Sequence, residues 1–137
     1  LLVECDIFSP NWHEAVQMVQ TSDYTTLLHR FHDLGCRFLA LRRGADGADL
    51  WNLSEEYGVH VPAVQTSIID VVGAGNAFCG ALVARFESGI EEAACHASAS
   101  ASYMLEQVGI PNTLPDPADY ARRLSEARSG LKPLAKW

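Results

Sequence analysis

A glycine-rich segment directly before an apolar, helix-forming run could bind a negatively charged group. Gly73, Ala74 and Gly75 precede the run that begins at Phe78, and Asp70 lies three positions before Gly73. Backbone N–H groups at the start of a helix point outward without internal acceptors, and the helix dipole favours negative charge there. The anion that this pattern favours is phosphate, although a short Gly-x-Gly sequence is also compatible with a structural turn.

A second group of oxygen-bearing side chains stands near the N-terminus. Asn11 and Glu14 are three positions apart at a predicted helix start, so they would lie one turn apart. Such oxygens could serve one water-coordinated cation, and Mg²⁺ suits these ligands because it keeps several of its waters. The same spacing is that of a capping box variant, with Asn11 as the N-cap. Both interpretations stay open.

Two further glycines, Gly44 and Gly47, separate two runs of strand-forming residues. Glycines at this spacing let backbone amides approach a ligand closely, and the neighbouring Arg42 or Arg43 could pair with phosphate oxygens. A plain β-hairpin turn would use the same glycines. The segment therefore predicts either a phosphate contact or a simple turn between strands.

The elements that must position these residues alternate between strands and helices. Thr21 or Ser22 is the predicted N-cap of the second helix. Strands are predicted at 6–8, 37–42, 48–52 and 59–61, the last one ending at Pro62 as edge strands do. Helices are predicted at 12–20, 23–34, 74–87, 91–107 and 118–128. This order predicts one domain over residues 1–137, an α/β fold arranged as a three-layer α/β/α sandwich with a mostly parallel sheet.

Charge, hydropathy and cysteine content restrict the partners and the compartment. A formal net charge of −7 argues against a nucleic acid as partner. No apolar run approaches the ~18 residues needed to span a bilayer, so no membrane partner is predicted. The four cysteines form no C-x-x-C pair and are predicted to be reduced, which favours the cytoplasm. Because the chain starts without Met or a signal peptide, we expect it to be a piece of a longer protein.

Four segments together resemble the ribokinase-like (PfkB) carbohydrate kinases. They occur in the family's order over roughly residues 6–117. D-V-V-G-A-G-N at 70–76 resembles the signature D-T-x-G-A-G-D, and S-P-N-x-x-E at 9–14 resembles the Asn-x-x-Glu element. R-R-G-A-D-G at 42–47 resembles the loop at the nucleotide phosphates, and the helix at 93–107 with V-G-I-P at 108–111 resembles the elements that flank the adenine.

The resemblance implies an ATP site, a Mg²⁺ site and, in many members of the family, a potassium ion (K⁺). Asn11 and Glu14 would organise the magnesium–phosphate network. Asp70 and the carbonyl of Val72 would help to hold K⁺. The residues that the resemblance assigns to the nucleotide are the anion-hole amides of Gly73, Ala74 and Gly75, together with Arg42, Gly44, Gly47, Ser98 and Gly109.

The sequence departs from the signature at Asn76, where the family has the Asp that accepts the proton of the acceptor hydroxyl. An amide can orient a hydroxyl but cannot take its proton at neutral pH. General-base catalysis typically contributes about 10²–10⁴-fold, so phosphoryl transfer is expected to be impaired. Residual turnover is compatible with a loose transition state that depends mainly on positioning and electrostatics.

Nothing in the chain resembles the family's N-terminal half, which carries the sugar-binding residues and the lid. We therefore expect a partial ribokinase-like fold, the C-terminal ATP-binding portion, which needs the other half to bind a sugar or nucleoside acceptor. Two functions stay open. One is a phosphotransferase domain impaired at Asn76. The other is a non-catalytic pseudokinase that binds nucleotide, a protein partner or a second copy of itself as a homodimer.

Overall fold

Five strands and five α-helices are formed along residues 2–137, the part of the chain that the computed structural model describes. None of these helices is long and apolar enough to cross a lipid bilayer. In chain order the elements are β1 (Ile7–Phe8), α1 (Trp12–Val19), α2 (Tyr24–Asp33), β2 (Phe38–Arg42), β3 (Ala48–Asn52), β4 (Tyr57–Val61), α3 (Ala74–Arg85), α4 (Ile90–Leu105), α5 (Pro117–Ser129) and β5 (Lys132–Pro133).

The strands form one sheet in the order β1-β2-β3-β4-β5. Only β1 and β2 are parallel, and the other neighbouring strands are antiparallel. The prediction of a mostly parallel sheet is therefore wrong. The reason lies in the connections: short turns join β2 to β3 and β3 to β4, whereas parallel neighbours need a crossover of about a dozen residues or more. Helices α1 and α2 supply such a crossover between β1 and β2.

Side chains of the sheet alternate between two cores, one on each face. Leu39 and Trp51 pack with α1 and α2, whereas Ala40, Leu50 and Val59 pack with α3, α4 and α5. This alternation follows from the two-residue period of a β-strand. Helices therefore cover both faces of the sheet, and the predicted three-layer α/β/α sandwich is confirmed.

Helix α2 begins at a different cap from the one predicted. Asp23 is the N-cap, and its Oδ1 accepts a hydrogen bond from Thr26 N at 2.9 Å. The hydrogen bonds from Thr26 lower the pKa of Asp23. The expectation of Thr21 or Ser22 is wrong because a carboxylate one position later offers the same oxygen acceptor and also gains from the helix dipole.

The C-terminal residues cover a strand that the sequence places at an edge. Strand β5 pairs with β4 on the side away from β3, so β4 is an interior strand and that expectation is wrong. The chain then brings the Trp137 ring to 4.5 Å from His29 and 5.7 Å from His32 on α2, measured between ring centroids. A two-residue strand has no periodicity, so the sequence pattern could not predict β5.

The buried indole of Trp51 packs directly against the backbone of β4. Its Nε1 donates to the Tyr24 hydroxyl at 2.9 Å, and that hydroxyl donates to the buried Asp49 at 2.9 Å, so the ring cannot shift freely. Gly58 stands opposite Trp51 in the ladder, and a Cβ on Gly58 would collide with the ring. Gly80, in contrast, is exposed on α3, and a Cβ there would meet nothing within 4 Å.

Replacing Gly58 by alanine is expected to lower the free energy of unfolding by about 1–3 kcal/mol, the usual effect of overpacking a core. The matched control Gly80→Ala is expected to raise it by about 0.5–1 kcal/mol, because alanine is the better helix former. Chemical denaturation followed by circular dichroism measures both changes. Equal stability of Gly58→Ala and the wild type would contradict the packing described.

Candidate functional site

A cleft of about 340 Å³ opens at the start of α3. It lies where the β2–β3 turn, the irregular segment 62–73 and the C-terminal half of α4 meet. Within residues 2–137, Arg42 is the one charged residue in its lining, in a chain that is acidic as a whole. Its lining residues are Asn11, Arg42, Gly44, Ala45, Gly47, Ala48, Val61, Ala63, Val64, Gln65, Thr66, Ile68, Val71, Ala74, Gly75, Phe78, Ser98, Ala101, Ser102 and Leu105.

Helix α3 begins at this cleft without a side-chain cap. Gly73 is the N-cap in the left-handed region, with φ of 88°, a conformation that glycine adopts without steric penalty. The Ala74 N–H donates weakly to Val71 O at 3.4 Å, while the N–H groups of Gly75 and Asn76 have no acceptor within residues 2–137. These two free donors and the helix dipole can receive an anion.

Arg42 reaches the start of α3 from the end of β2. Its Nε and Nη2 donate to Ser9 O at 3.3 and 2.9 Å, and Nη2 is 3.7 Å from a carboxylate oxygen of Glu14. The other guanidinium nitrogen, Nη1, lies so close to Gly75 that a Cβ there would collide with it. Because Nη1 makes no hydrogen bond within the described residues, it remains available to an anion at the helix start.

Asn11 and Glu14 form the capping box that the sequence allows as one interpretation. Asn11 Oδ1 accepts from Glu14 N at 2.9 Å, and Glu14 Oε2 accepts from Asn11 N at 2.8 Å. A β-bridge joins Asn11 to Arg42, so the cap lies beside the cationic side chain. Asn11 lines the cleft and Glu14 does not. The cap uses the single side-chain oxygen of Asn11 and one carboxylate oxygen of Glu14, which leaves Glu14 Oε1 free within residues 2–137.

The glycines of the β2–β3 turn are part of the cleft wall. Gly44 and Gly47 have φ values of 60° and 84°, and a Cβ on Gly47 would collide with the carbonyl of Val61. The turn is closed by Arg43, whose N–H donates to Gly47 O at 2.8 Å and whose Nη1 donates to the buried Asp49 at 3.3 Å. The predicted turn between two strands is confirmed, and it faces the same cleft as Arg42.

Asp70 braces the loop before α3 from outside the cleft. Its Oδ1 accepts from Val72 N at 3.0 Å. The N–H groups of Ile69 and Asp70 both donate to Leu105 O, at 2.7 and 3.2 Å. The loop is therefore tied to the C-terminal end of α4. Neither Asp70 nor Val72 belongs to the cleft lining.

Asn76 and Gly109 also lie outside the lining of the cleft. Asn76 is exposed in the first turn of α3. Gly109 is exposed in the loop after α4, where a Cβ would meet nothing within 4 Å. No Asp, Glu or His lines the cleft within the described part of the chain. The cleft therefore contains no side chain that could replace a carboxylate at position 76 as proton acceptor.

Ser98 lines the cleft, but the protein itself uses its hydroxyl. The Oγ donates to Pro62 O at 2.6 Å and accepts from Val64 N at 3.3 Å. Its side chain is 6% exposed. Ser98 therefore fastens the irregular segment 62–73 to α4, a role that the sequence did not suggest.

A buried ion network lies behind the same segment, between α4 and α5. Arg123 is 6% exposed. Its Nη2 donates to Glu106 at 2.6 Å, its Nε to Asp119 at 2.9 Å and its Nη1 to Ser102 at 2.9 Å. The hydroxyl of Thr66, a cleft residue, donates to the same Glu106 oxygen. The network thus connects the last helix to the wall of the cleft.

Asp119 accepts further hydrogen bonds in this network. The Tyr103 hydroxyl donates to it at 2.8 Å and Arg122 Nη2 donates at 2.7 Å. The hydrogen bond from Tyr103, followed by those from Arg122 and Arg123, lowers the pKa of Asp119 to about 2. Burial raises the pKa of Tyr103 to about 12, so this hydroxyl keeps its proton and remains a donor.

Sequence reasoning missed this network almost entirely. The spacing of Asp119 and Arg123, four positions apart on one helix, is a signal for an ion pair. Thr66 stands in a stretch without periodicity, and Glu106 directly follows the end of α4, whereas Arg123 is on α5. No sequence pattern connects these three residues, because only the packing of α4 against α5 brings them together.

Known proteins are similar to this chain in sequence and in fold. Residues 1–117 match the family described as pfkB family carbohydrate kinase. An uncharacterised sugar kinase of Archaeoglobus fulgidus is 30% identical over 121 residues, which cover 87% of this chain and 47% of that protein.

Two solved structures share the fold. Ribokinase of Arabidopsis thaliana, complexed with ribose and ATP, is 25% identical with a TM-score of 0.78, covering 90% of this chain and 42% of that one. Aminoimidazole riboside kinase of Salmonella enterica, complexed with aminoimidazole riboside and an ATP analogue, is 27% identical with a TM-score of 0.75, covering 90% and 43%. The chain spans less than half the length of each of these proteins.

The ion network predicts a pH dependence of stability. Because the pKa of Asp119 is lowered on folding, its contribution is complete above about pH 4, the range of an unfolded Asp, and is lost as the pH falls towards the folded value of about 2. Asp119→Asn is therefore expected to be less stable than the wild type at pH 7, with a difference that disappears near pH 2.

Urea denaturation at a series of pH values measures this difference. Asp6→Asn is the control, because Asp6 is exposed and has no hydrogen-bond or ion-pair partner within the described residues. A stability difference for Asp119→Asn that stays constant down to pH 2 would contradict the interpretation.

Proposed function

This chain belongs to the pfkB family of carbohydrate kinases, and we propose that it forms the nucleotide-binding half of a phosphotransferase. Its reaction is transfer of the γ-phosphoryl group of ATP to a sugar or nucleoside hydroxyl. The observation that carries the proposal is the cleft where Arg42 meets the start of α3, the helix end at which the amides of Gly75 and Asn76 are free. These donors suit a polyphosphate, and the largely apolar remainder of the lining suits a base.

Each part of the phosphate site has a role in this proposal. The free amides of Gly75 and Asn76 and the Nη1 group of Arg42 hold phosphate oxygens at the helix start that Gly73 opens, and the turn at Gly44 and Gly47 lets the backbone approach them. All these donors are fixed before the nucleotide arrives, by the helix start, by Ser9 O and by the β2–β3 hairpin. Preorganised donors stabilise transferring phosphoryl groups without reorganisation, which is how catalysis by such sites operates.

The proposal includes two cations. Asn11 lines the cleft and Glu14 retains one free carboxylate oxygen, a donor set that fits Mg²⁺ held through its waters. When bound, Mg²⁺ would neutralise charge on the β- and γ-phosphates. Asp70 and the carbonyl of Val72 stand on the loop before α3, and in this proposal they hold K⁺ beside the anion site.

Calorimetry with ADP and Mg²⁺ tests nucleotide binding by the chain. Wild-type protein is expected to bind ADP, and Gly75→Val is expected to abolish binding, because a β-branched side chain would displace Arg42 and crowd the free amides. The matched control is Gly80→Val, the same change at an exposed position of the same helix, which should bind like the wild type. Absence of heat at millimolar ADP, from protein shown to be folded by circular dichroism, would contradict the proposal.

Asn76 favours a second candidate, a non-catalytic pseudokinase that binds nucleotide and acts on a protein partner or a second copy of the chain. An amide stands where a proton acceptor is needed, and no acidic side chain or histidine among residues 2–137 lines the cleft. The phosphate-binding features are nevertheless retained. The two candidates therefore differ in one expected result. A substitution at position 76 should restore turnover to an impaired kinase, but not to a protein that only binds nucleotide.

Asn76→Asp is expected to raise acceptor-dependent ATP turnover of the complete gene product by about tenfold or more, because it supplies the missing general base. The dipole of α3 would keep the new carboxylate ionised. A panel of sugars and nucleosides measures the effect. The control Asn112→Asp makes the same change in an exposed loop and should leave turnover at the wild-type level. Turnover that stays at background in Asn76→Asp, while ADP still binds, would favour the pseudokinase.

The cytoplasm is the compartment in this proposal. All four cysteines are free, and Cys36 and Cys95 are buried in the two cores as small apolar side chains. Free thiols persist in a reducing compartment.

A further inference from the structure

Resting on the proposed function, we infer that Thr66, Glu106 and Arg123 position one wall of the cleft for the base and ribose of the nucleotide. We call these three residues the wall anchor. None of them touches the reacting phosphates in the proposal, so they are positioning residues. One set of residues then positions the nucleoside, while Arg42 and the start of α3 hold the phosphates.

The wall that they position has no regular structure of its own. Residues 62–70 form neither helix nor strand, and 63–66 and 68 line the cleft. The segment is held from behind by α4 and α5, through Ser98 to Pro62 O and Val64 N and through Glu126 to Gln65 N at 2.8 Å. Irregular segments that lack ladder hydrogen bonds open easily unless such contacts order them.

Thr66 is the point at which this wall joins the ion network. Its hydroxyl donates to Glu106, whose position is fixed by Arg123 at 2.6 Å. Arg123 is in turn fixed by hydrogen bonds from all three of its guanidinium nitrogens, and its Cζ lies 3.9 Å from the centroid of the Tyr103 ring. A partly buried cleft hydroxyl is thus held by a carboxylate that cannot move independently of α5.

The wall anchor is separate from the phosphate donors. Arg42 donates a hydrogen bond to Ser9 O, directly after β1, and the Gly75 amide lies in the first turn of α3. The part of the cleft left for a base and ribose consists of apolar side chains with Gln65, Thr66, Ser98 and Ser102. Loosening the wall should therefore lower the affinity for a ligand that carries a nucleoside, because binding of that ligand then includes the cost of ordering the wall. The affinity for a ligand that is only a polyphosphate should stay unchanged.

The experiment compares ADP with inorganic pyrophosphate, each with Mg²⁺, by calorimetry. Thr66→Val removes the hydroxyl at constant shape, and it is expected to weaken ADP binding about three- to tenfold while pyrophosphate affinity stays unchanged. Thr66→Ser restores the donor and is expected to restore ADP affinity. The matched control is Thr25→Val, at an exposed position of α2, which should bind both ligands like the wild type.

Hydrogen exchange adds a measurement that needs no ligand. Amides in the segment 62–72 are expected to exchange faster in Thr66→Val than in the wild type, Thr66→Ser or Thr25→Val. Should Thr66→Val fail to fold, Thr66→Ala takes its place with the same expected results.

The outcomes separate the two proposals. If the wild type binds no ADP, the proposed function is wrong and the inference falls with it. If the wild type binds ADP and Thr66→Val binds it equally well, only the inference is wrong. Equal weakening of ADP and pyrophosphate, or a Thr66→Ser protein as weak as Thr66→Val, would also overturn it, because either result assigns Thr66 a general structural role.

Discussion

The close approach of the Arg42 guanidinium to the backbone at position 75 is the contact on which the rest of the site depends. A Cβ at residue 75 would collide with Nη1, so a side chain there would require the guanidinium to move away from the helix start. Ser9 O, at the end of the one parallel strand pair, holds the other side of the guanidinium. The cationic guanidinium is thereby held beside the uncapped N-terminus of α3. Either group alone would bind an anion less well than the two do together.

The helices behind the cleft keep this arrangement in place. Helix α4 packs along α3, and its Leu105 O accepts hydrogen bonds from the loop that precedes α3. Ser98 and Glu106 hold the irregular wall by hydrogen bonds. The cleft lining has one charged side chain among the described residues, Arg42, and a carboxylate oxygen of Glu14 lies 3.7 Å from it, in a chain of formal charge −7. Specific donors, rather than bulk attraction, must therefore select the ligand.

The sequence predicts features that depend on neighbouring residues in the chain. The capping box of Asn11 and Glu14, the turn at Gly44 and Gly47 and the start of α3 are of this kind. Prediction from the sequence fails where residues that pair or form hydrogen bonds come from elements far apart in the chain. The antiparallel pairing of the sheet, the two-residue β5 and the hydrogen bonds of Ser98 and Thr66 depend on packing that no local pattern records. Asn76 was recognised only because a resemblance supplied the residue expected there.

A crystal structure of the chain with ADP and Mg²⁺ is the most direct test of the central claim, that a nucleotide's phosphates bind where Arg42 meets the start of α3. The account predicts phosphate oxygens within about 3 Å of the Gly75 and Asn76 amides and of Arg42 Nη1, with the base in the part of the cleft walled by residues 63–68. Phosphates bound elsewhere, or a nucleotide in the cleft with its phosphates turned away from α3, would contradict it.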